Sequence, residues 1–296
     1  MKLLVTGATG LTGHLFLSHL VGTSSDFEVH CLVRPTSDRT LLEHLNLNLH
    51  YFTGDSSQRE TWDEILAEYT PSTIIHIASI RHVPVILNSL RIAGQNPRLI
   101  VVGTTGVYSK YNHYSQDYQA IEEQLAQYPG SYCLLRPTMI YGSHRDKNLH
   151  KLIKFCDHYG FFPVFGSGGC LLQPIHADDL AQAIFSVLLR PNVRGTYDLS
   201  GGSIVTFREL LSLVEKHLGK RVRPVYFPLK LGVWSATIAQ KVLGAKSPVR
   251  REQILRLQED KAYPHDAARR DLDFSPRSVE AGLQQEVELL RNAKII

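Results

Sequence analysis

Three glycines spaced three residues apart carry the first readable chemistry of this chain. In Thr6-Gly7-Ala8-Thr9-Gly10-Leu11-Thr12-Gly13 they follow the strand-like run Lys2-Leu3-Leu4-Val5-Thr6 and lead into a helical pattern over 13–21. Gly7 allows a tight turn, Gly10 lets backbone approach an anion, and Gly13 permits close contact between helix and strand. The amides of Leu11 and Thr12, with Thr9 in the same loop, open a helix whose positive end faces a pyrophosphate. The chemistry implied is dinucleotide binding. In such a fold an acidic residue about 20 positions on holds the ribose hydroxyls of NAD, whereas a basic one accommodates the extra phosphate of NADP. Here the second apolar run ends Cys31-Leu32-Val33-Arg34-Pro35-Thr36-Ser37, with Arg39 close behind and no carboxylate before Asp38. Arg34 therefore points to NADP, with NAD the less favoured cofactor. Its competing use is as a solvated strand-end charge.

The elements that must position these groups alternate. Short β-branched runs at 2–6, 28–33, 50–52, 73–78, 99–103 and 132–137 are separated by helical patterns at 13–21, 61–69, 84–93 and 116–127. Alternation of this kind predicts βαβ units and a parallel sheet, and the near-continuous apolar character of 74–78 and 99–102 suits strands covered on both faces. After Gly142 the alternation lapses into a loop, a helix near 149–158 and the glycine-rich segment 166–169. A strand at 173–176, a helix at 180–189 capped by Asp178 or Asp179, and a strand at 196–199 follow; helices dominate from 201, with Thr206 and Ser278 as starts. The fold expected is α/β: a doubly wound parallel Rossmann sheet with a smaller, mainly helical C-terminal substrate lobe. Residues 1–142 plus 171–200 form the dinucleotide-binding domain, and 143–170 plus 201–296 the substrate lobe. A ligand would sit where the two meet, at the carboxyl ends of the strands.

Composition sets the outer limits. The 296 residues are 43% hydrophobic and 20% charged, enough to bury a large core without staples. The 32 basic and 28 acidic residues leave a net charge of +4, too small and too evenly spread to indicate nucleic acid. Cys31, Cys133, Cys156 and Cys170 stand far apart, so no metal site or disulfide framework is readable and buried thiols are expected. Strand-like residues directly after Met1 leave no room for a signal peptide, and no window reaches a membrane span, so a cytoplasmic location is expected. The stretch 228–244 reads as an amphipathic packing helix broken by Lys230 and Lys241.

The glycine loop, then Gly54-Asp55, Ile74-Ile75-His76-Ile77-Ala78-Ser79, Gly103-Thr104-Thr105-Gly106-Val107-Tyr108 and Leu135-Arg136-Pro137-Thr138-Met139-Ile140-Tyr141-Gly142, together resemble the extended and atypical short-chain dehydrogenase/reductase superfamily, whose members include NAD-dependent epimerases and dehydratases. The likeness continues through Gln173–Ala181 and Gly195–Gly201, so it spans essentially the whole chain. It implies that Asp55, with Ser56, meets the adenine edge, that Ala78 and Ser79 flank the cofactor, and that Pro137, Thr138, Met139 and Ile140 lie against the nicotinamide. It also implies a Ser or Thr that polarises the substrate carbonyl, a Tyr that transfers its proton, and a Lys four residues later that lowers the Tyr pKa. Thr104 takes the first role, with Thr105 as fallback. Candidates for the second are Tyr108, Tyr111, Tyr114 and Tyr118, and the residues four further on are Asn112, Ser115, Tyr118 and Glu122, none of them lysine. The register of Ala120-Ile121-Glu122 places Tyr114 at the tyrosine position and Tyr118 where lysine should stand.

That departure has a direction. A tyrosine with its ordinary pKa near 10 is about 99.9% protonated at pH 7, so it can donate a proton but is rarely ready to accept one. Carbonyl reduction survives better than the alcohol oxidation an epimerase begins with, unless Lys110 or Lys147 supplies the missing charge. The segment before Asp178, Cys170-Leu171-Leu172-Gln173-Pro174, has no arginine for a nucleotide-sugar diphosphate. Arg145, Lys147, Arg250 and Arg251 lie in segments that could face the cleft, or are surface charges. Phe161, Phe162, Phe165, Leu171, Leu172 and Trp234 form an apolar wall or simply join the lobes. His76, on a strand, reads as a core residue. The expectation is an NADP(H)-dependent reductase acting on a small carbonyl or related substrate, with a homodimer as one assembly. The alternatives are a nucleotide-sugar epimerase or dehydratase and a non-catalytic NADP-binding scaffold or redox sensor.

Overall fold

The computed structural model describes residues 1–23, 26–146, 148–234, 237 and 251–296. Lys147, Arg250 and much of the helix expected over 228–244 lie outside the described residues. The chain begins β1 (Lys2–Thr6), α1 (Leu11–Leu20), β2 (Glu28–Val33), α2 (Thr40–Glu43), β3 (Leu49–Thr53), α3 (Arg59–Glu68), β4 (Thr73–His76), α4 (Val83–Ala93), β5 (Arg98–Val102), α5 (Ser115–Ala126) and β6 (Tyr132–Pro137). It continues through β7 (Ile140–Tyr141), α6 (Leu149–Tyr159), β8 (Phe161–Phe165), β9 (Leu171–Leu172), β10 (Ile175–His176), α7 (Ala177–Leu189), β11 (Gly195–Leu199), β12 (Val205–Thr206), α8 (Phe207–Leu218) and β13 (Arg223–Phe227). Helices Arg251–Arg256, Asp266–Leu272 and Val279–Asn292 follow.

Seven strands make one parallel sheet in the order β11-β6-β5-β4-β1-β2-β3. The order reverses between β1 and β4, whose last paired residues are Thr6 and His76. Open α/β sheets bind ligands in the crevice outside such a switch point, so Gly7 and Ile77 begin the loops that can form a site.

The sheet is covered twice. Phe16 and Leu17 of α1 and Ile184 and Val187 of α7 pack on one face with Leu3, Val5 and Ile75. Trp62 and Ile65 of α3, Ile86 and Leu90 of α4 and Leu125 of α5 pack on the other with Leu4, Ile74 and Val101. This two-sided cover explains why strands β4 and β5 are apolar without alternation. A third cluster, Tyr141, Leu149, Ile153, Leu210, Val214, Leu283 and Val287, lies in the segments beyond β6.

Local chemistry sets the element ends. Thr206 caps α8 in a reciprocal box with Glu209, and Ser278 accepts from the Ala281 amide at the start of the last helix. The cap of α7 departs from expectation. It is His176, whose Nδ1 accepts from the Asp178 amide at 3.2 Å, while Asp178 and Asp179 lie in the first turn. The carboxylates that sequence suggested as caps bind an arginine instead. The strand expected over 173–176 shortens to Ile175–His176, because Gln173 and Pro174 face the 201 turn. Strands β8 and β13, paired in parallel, enter a lobe expected to be mainly helical.

Candidate active site

Two glycines of the loop are required by the backbone. Gly7 has φ +76°, and a Cβ there would stand 2.9 Å from the Ala78 amide nitrogen. At Gly13 a Cβ would lie 2.1 Å from the Gly7 carbonyl oxygen, so α1 can only begin this close to the loop without a side chain. The first helical bond runs from the His14 amide to the Gly10 carbonyl at 3.0 Å, which leaves the amides of Leu11 and Thr12 ahead of it. No acidic residue stands in the first turn. Backbone donors, a helix N-terminus and no competing carboxylate fit the diphosphate of a dinucleotide.

Beside this loop, at the end of β2, opens a cavity of 410 Å³ lined by Thr9, His14, Arg34, Ser37, His144 and Arg145, among others. Arg34 is exposed at the strand end, as its sequence position predicted. Arg145 comes from the loop after β7 and its guanidinium donates to the Thr9 carbonyl. Burial and then the Arg145 charge hold His14 below the ordinary histidine pKa. Asp38, the nearest carboxylate in sequence, accepts from the Thr40 amide at 2.9 Å and the Thr40 hydroxyl at 2.6 Å. The cavity therefore presents two guanidinium groups and one carboxylate already engaged. Asp55 accepts from the Ser57 amide at 2.8 Å, which holds its carboxyl below the usual range, and Ser56 Oγ bonds His82 Nδ1 at 2.9 Å.

On the other side of the switch point, Ala78 lies against Gly7, and the Ser79 carbonyl meets His76 Nε2 at 2.9 Å. His76 is buried with Nδ1 on the Thr6 hydroxyl at 2.7 Å, and burial lowers its pKa to about 4. It is a neutral strut between two strand ends, as its position on a strand suggested. Thr138 is turned inward: its hydroxyl donates to the Gln173 carbonyl at 2.6 Å and its amide to the Leu199 carbonyl at 2.9 Å. The Pro137 carbonyl accepts from Thr105 Oγ1 at 3.2 Å, Ile140 pairs with Ile175, and Met139 faces a large apolar cavity.

The hydroxyl groups of 104–118 divide into committed and free. Thr105, the expected fallback, is buried with its hydroxyl donating to the Pro137 carbonyl and so is committed elsewhere. Thr104 Oγ1 accepts from the Gly106 amide at 3.0 Å, which leaves its own proton available to a ligand. Tyr108 donates to Asp198 at 2.9 Å and accepts from Arg136 at 2.7 Å; burial and Asp198 push its pKa up to about 12. Tyr111 is exposed. Tyr114 packs against His113 with ring centroids 3.8 Å apart and planes tilted by 41°, and its hydroxyl has no hydrogen bond among the described residues. Its ring centroid is 6.3 Å from that of Tyr118, which packs on the α3–α5 side. Neither Tyr114 nor Tyr118 is hydrogen-bonded to Thr104.

Among the described residues no lysine is hydrogen-bonded to Tyr114 or Tyr118 or lies over either ring. Lys110 is exposed, with its amide and that of Tyr111 donating to Glu259 at 2.6 and 3.2 Å. The cation over Tyr114 is Arg81, with Cζ 4.8 Å from the ring centroid. Sequence reading missed Arg81 because it follows β4, more than thirty residues upstream, and no spacing rule links the two.

His176, Asp178 and Asp179 bring possible metal donor atoms within 4.8 Å of one another. The Arg277 guanidinium already lies on Asp178 at 2.7 Å and Asp179 at 2.8 Å, and His19 lies on Asp178 at 3.0 Å. These partners hold the Asp178 carboxyl far below its usual range. The group is an ion-pair hub joining α1, α7 and the segment before the last helix. Cys31, Cys133 and Cys156 are buried and Cys170 half-buried; burial pushes the first three thiols up to about 12.

Among the described residues no helix is long and apolar enough to cross a membrane. The model of the NAD dependent epimerase/dehydratase family matches residues 3–199. Solved structures similar to the chain include gox2253, with a TM-score of 0.76, 18% identity and coverage of 99% of this chain and 98% of that one. UDP-glucuronic acid 4-epimerase from Bacillus cereus, in complex with NAD, has a TM-score of 0.73 and 17% identity, covering 99% of both chains. A curated relative, NADH dehydrogenase [ubiquinone] 1 alpha subcomplex subunit 9 of Dictyostelium discoideum mitochondria, is 31% identical over 105 residues, 35% of this chain and 29% of that protein. The chain spans about a third or less of the length of the curated relatives it matches. With the glycine loop at the switch point and a family match across the seven-stranded sheet, the chain belongs to the NAD dependent epimerase/dehydratase family.

Proposed function

We propose that the chain is an NADP(H)-dependent oxidoreductase of the short-chain dehydrogenase/reductase type that reduces a small carbonyl or related substrate. The observation that carries the cofactor choice is the cavity beside Thr9, with Arg34 and Arg145 on its walls and Asp38 held by Thr40. A ribose phosphate is a dianion, and the two guanidinium groups of the cavity outnumber its single carboxylate, Asp38. When bound, the nicotinamide supplies the hydride. Thr104, whose hydroxyl proton is left available by its acceptor role toward Gly106, polarises the carbonyl. Tyr114 gives the proton, since its hydroxyl has no partner among the described residues, whereas Tyr108 is held by Asp198 and Arg136. Met139 and Ile140 border the position of the nicotinamide. In this reading 1–142 plus 171–200 bind the dinucleotide, 143–170 plus 201–296 bind the substrate, and the protein works in the cytoplasm, as a homodimer, without nucleic acid.

Titration with NADPH and NADH tests the cofactor choice. Tighter binding of NADPH is expected, and Arg34→Ala is expected to remove about tenfold to a hundredfold of that affinity while sparing NADH. Equal affinities, or tighter NADH, would overturn it. A second reading, a non-catalytic dinucleotide-binding subunit, is favoured by the absence of a hydrogen bond between Thr104 and Tyr114 and by the likeness to an NADH dehydrogenase subunit. Turnover of any carbonyl compound that Tyr114→Phe abolishes would exclude it.

A further inference from the structure

Beyond Met139 the amphipathic helices α6 and α8 and the strand β8 turn their apolar faces toward one another without filling the space between them. The cavity left is 560 Å³, with Leu152, Phe155, Phe162, Phe165, Phe207 and Leu257 among its walls. That volume suits a small organic ligand. The sugar and diphosphate of a nucleotide sugar would lose their hydrogen bonds to water here and regain few, because among the described residues the polar side chains on the walls are Asn148, Lys151 and Lys261.

Lys261 is the informative one. Its amide donates to the Leu171 carbonyl at 2.7 Å, and Leu172 bridges to it, which anchors the side chain on the cavity wall. Among the described residues its ammonium has neither a hydrogen bond nor an ion pair, although it is half-buried. Burial, and then the charge of Arg256, lower its pKa. The charge of Glu259 acts in the other direction without touching the ammonium, and an ammonium in apolar surroundings that no carboxylate contacts is costly alone and strongly favoured by an anion.

We propose that this cavity binds an amphipathic carboxylate, an apolar chain or ring lying against Phe155, Phe162, Phe165 and Phe207 with its single acidic group on Lys261. Met139, which borders the nicotinamide position proposed above, also lines this cavity. That the ligand is the reductase's substrate, an apolar oxo acid, rests on the function proposed above; that it binds does not.

Calorimetric titration of the full chain, without dinucleotide, with straight-chain carboxylates of increasing length reads both features. Affinity is expected to rise about fourfold for each added methylene until the cavity is full. Octanoate is expected to bind at least about tenfold tighter than octanol or octylammonium, a comparison that needs no variant. Lys261→Met is expected to bring octanoate down to the affinity of octanol and leave octanol unchanged, and Leu152→Trp, which fills the cavity, to weaken both. No dependence on chain length, or no preference for the anion, would overturn the proposal. A parallel titration with NADPH separates the two readings. Carboxylate binding without NADPH binding sinks the reductase and leaves the cavity's ligand standing, and the converse sinks only the cavity's ligand.

Discussion

The two sides of the cleft are built by different means. On the nucleotide side the working groups are backbone amides, fixed by φ at Gly7 and by the contact of Gly13 with the Gly7 carbonyl. On the side proposed for proton transfer they are side chains, and each is placed by a separate contact: Thr104 by Gly106, Tyr108 by Asp198, and Tyr114 by His113 and Arg81. A backbone site tolerates change in everything except its glycines. A side-chain site loses its chemistry with one residue, and here the position of the expected lysine is held by Tyr118. The difference teaches that family membership carries the binding function further than it carries the reaction.

The largest test of that contrast is at Tyr114. Replacing it with Phe removes only a hydroxyl and is expected to lower kcat by about 10²–10⁴-fold while leaving NADPH affinity unchanged, measured by steady-state kinetics and titration. An unchanged kcat would show that the proton comes from elsewhere. On the nucleotide side, Gly13→Ala should do the reverse. The added methyl meets backbone at 2.1 Å, so either α1 or the loop must shift, at a cost of about 1–3 kcal/mol in urea unfolding and with loss of dinucleotide binding.

Between the two sides stands His76, tied to β1 through Thr6 and to the loop after β4 through Ser79. Its pKa in the folded chain is about 4, below the 6.5 of an exposed histidine. The folded state therefore binds fewer protons than the unfolded one between those values, and the stability held above pH 6.5 is lost as pH falls toward 4. About 2 kcal/mol should go between pH 7 and pH 5. Glu286, buried and raised to about 10, titrates in the opposite sense, so the readout is the difference in urea midpoint between wild type and His76→Asn at the two pH values. If that difference is constant, His76 is not the group responsible. The smallest effect is expected at Arg81. Arg81→Ala removes a cation lying over an accessible ring, worth about 0.5–1 kcal/mol, and is expected to lower kcat less than tenfold. A loss as large as that of Tyr114→Phe would make Arg81 the functional replacement for the missing lysine.

The glycine loop, the alternating elements and the strand-end arginine were legible in sequence, because turn geometry and two-sided burial impose residue types at fixed local spacing. The α7 cap differs for a non-local reason: Asp178 is a good capping type, but Arg277, nearly a hundred residues away, holds its carboxylate. The short strands β8 and β13 went unseen because their partners lie far apart in sequence and their exposure follows no alternation. Arg145 was noticed as a cation near the cleft, with nothing to say that it reaches Thr9.

Sequence by itself determined the family, through motifs spread along the chain, and the parallel sheet and the glycine turn, which follow from the period of burial and from contacts within a few residues. Tertiary structure alone decided that the Tyr108 hydroxyl is engaged, which arginines share the cavity at the end of β2, and that Lys261 lines an apolar cavity. Those are meetings of side chains from distant segments, and only the folded chain fixes their distances.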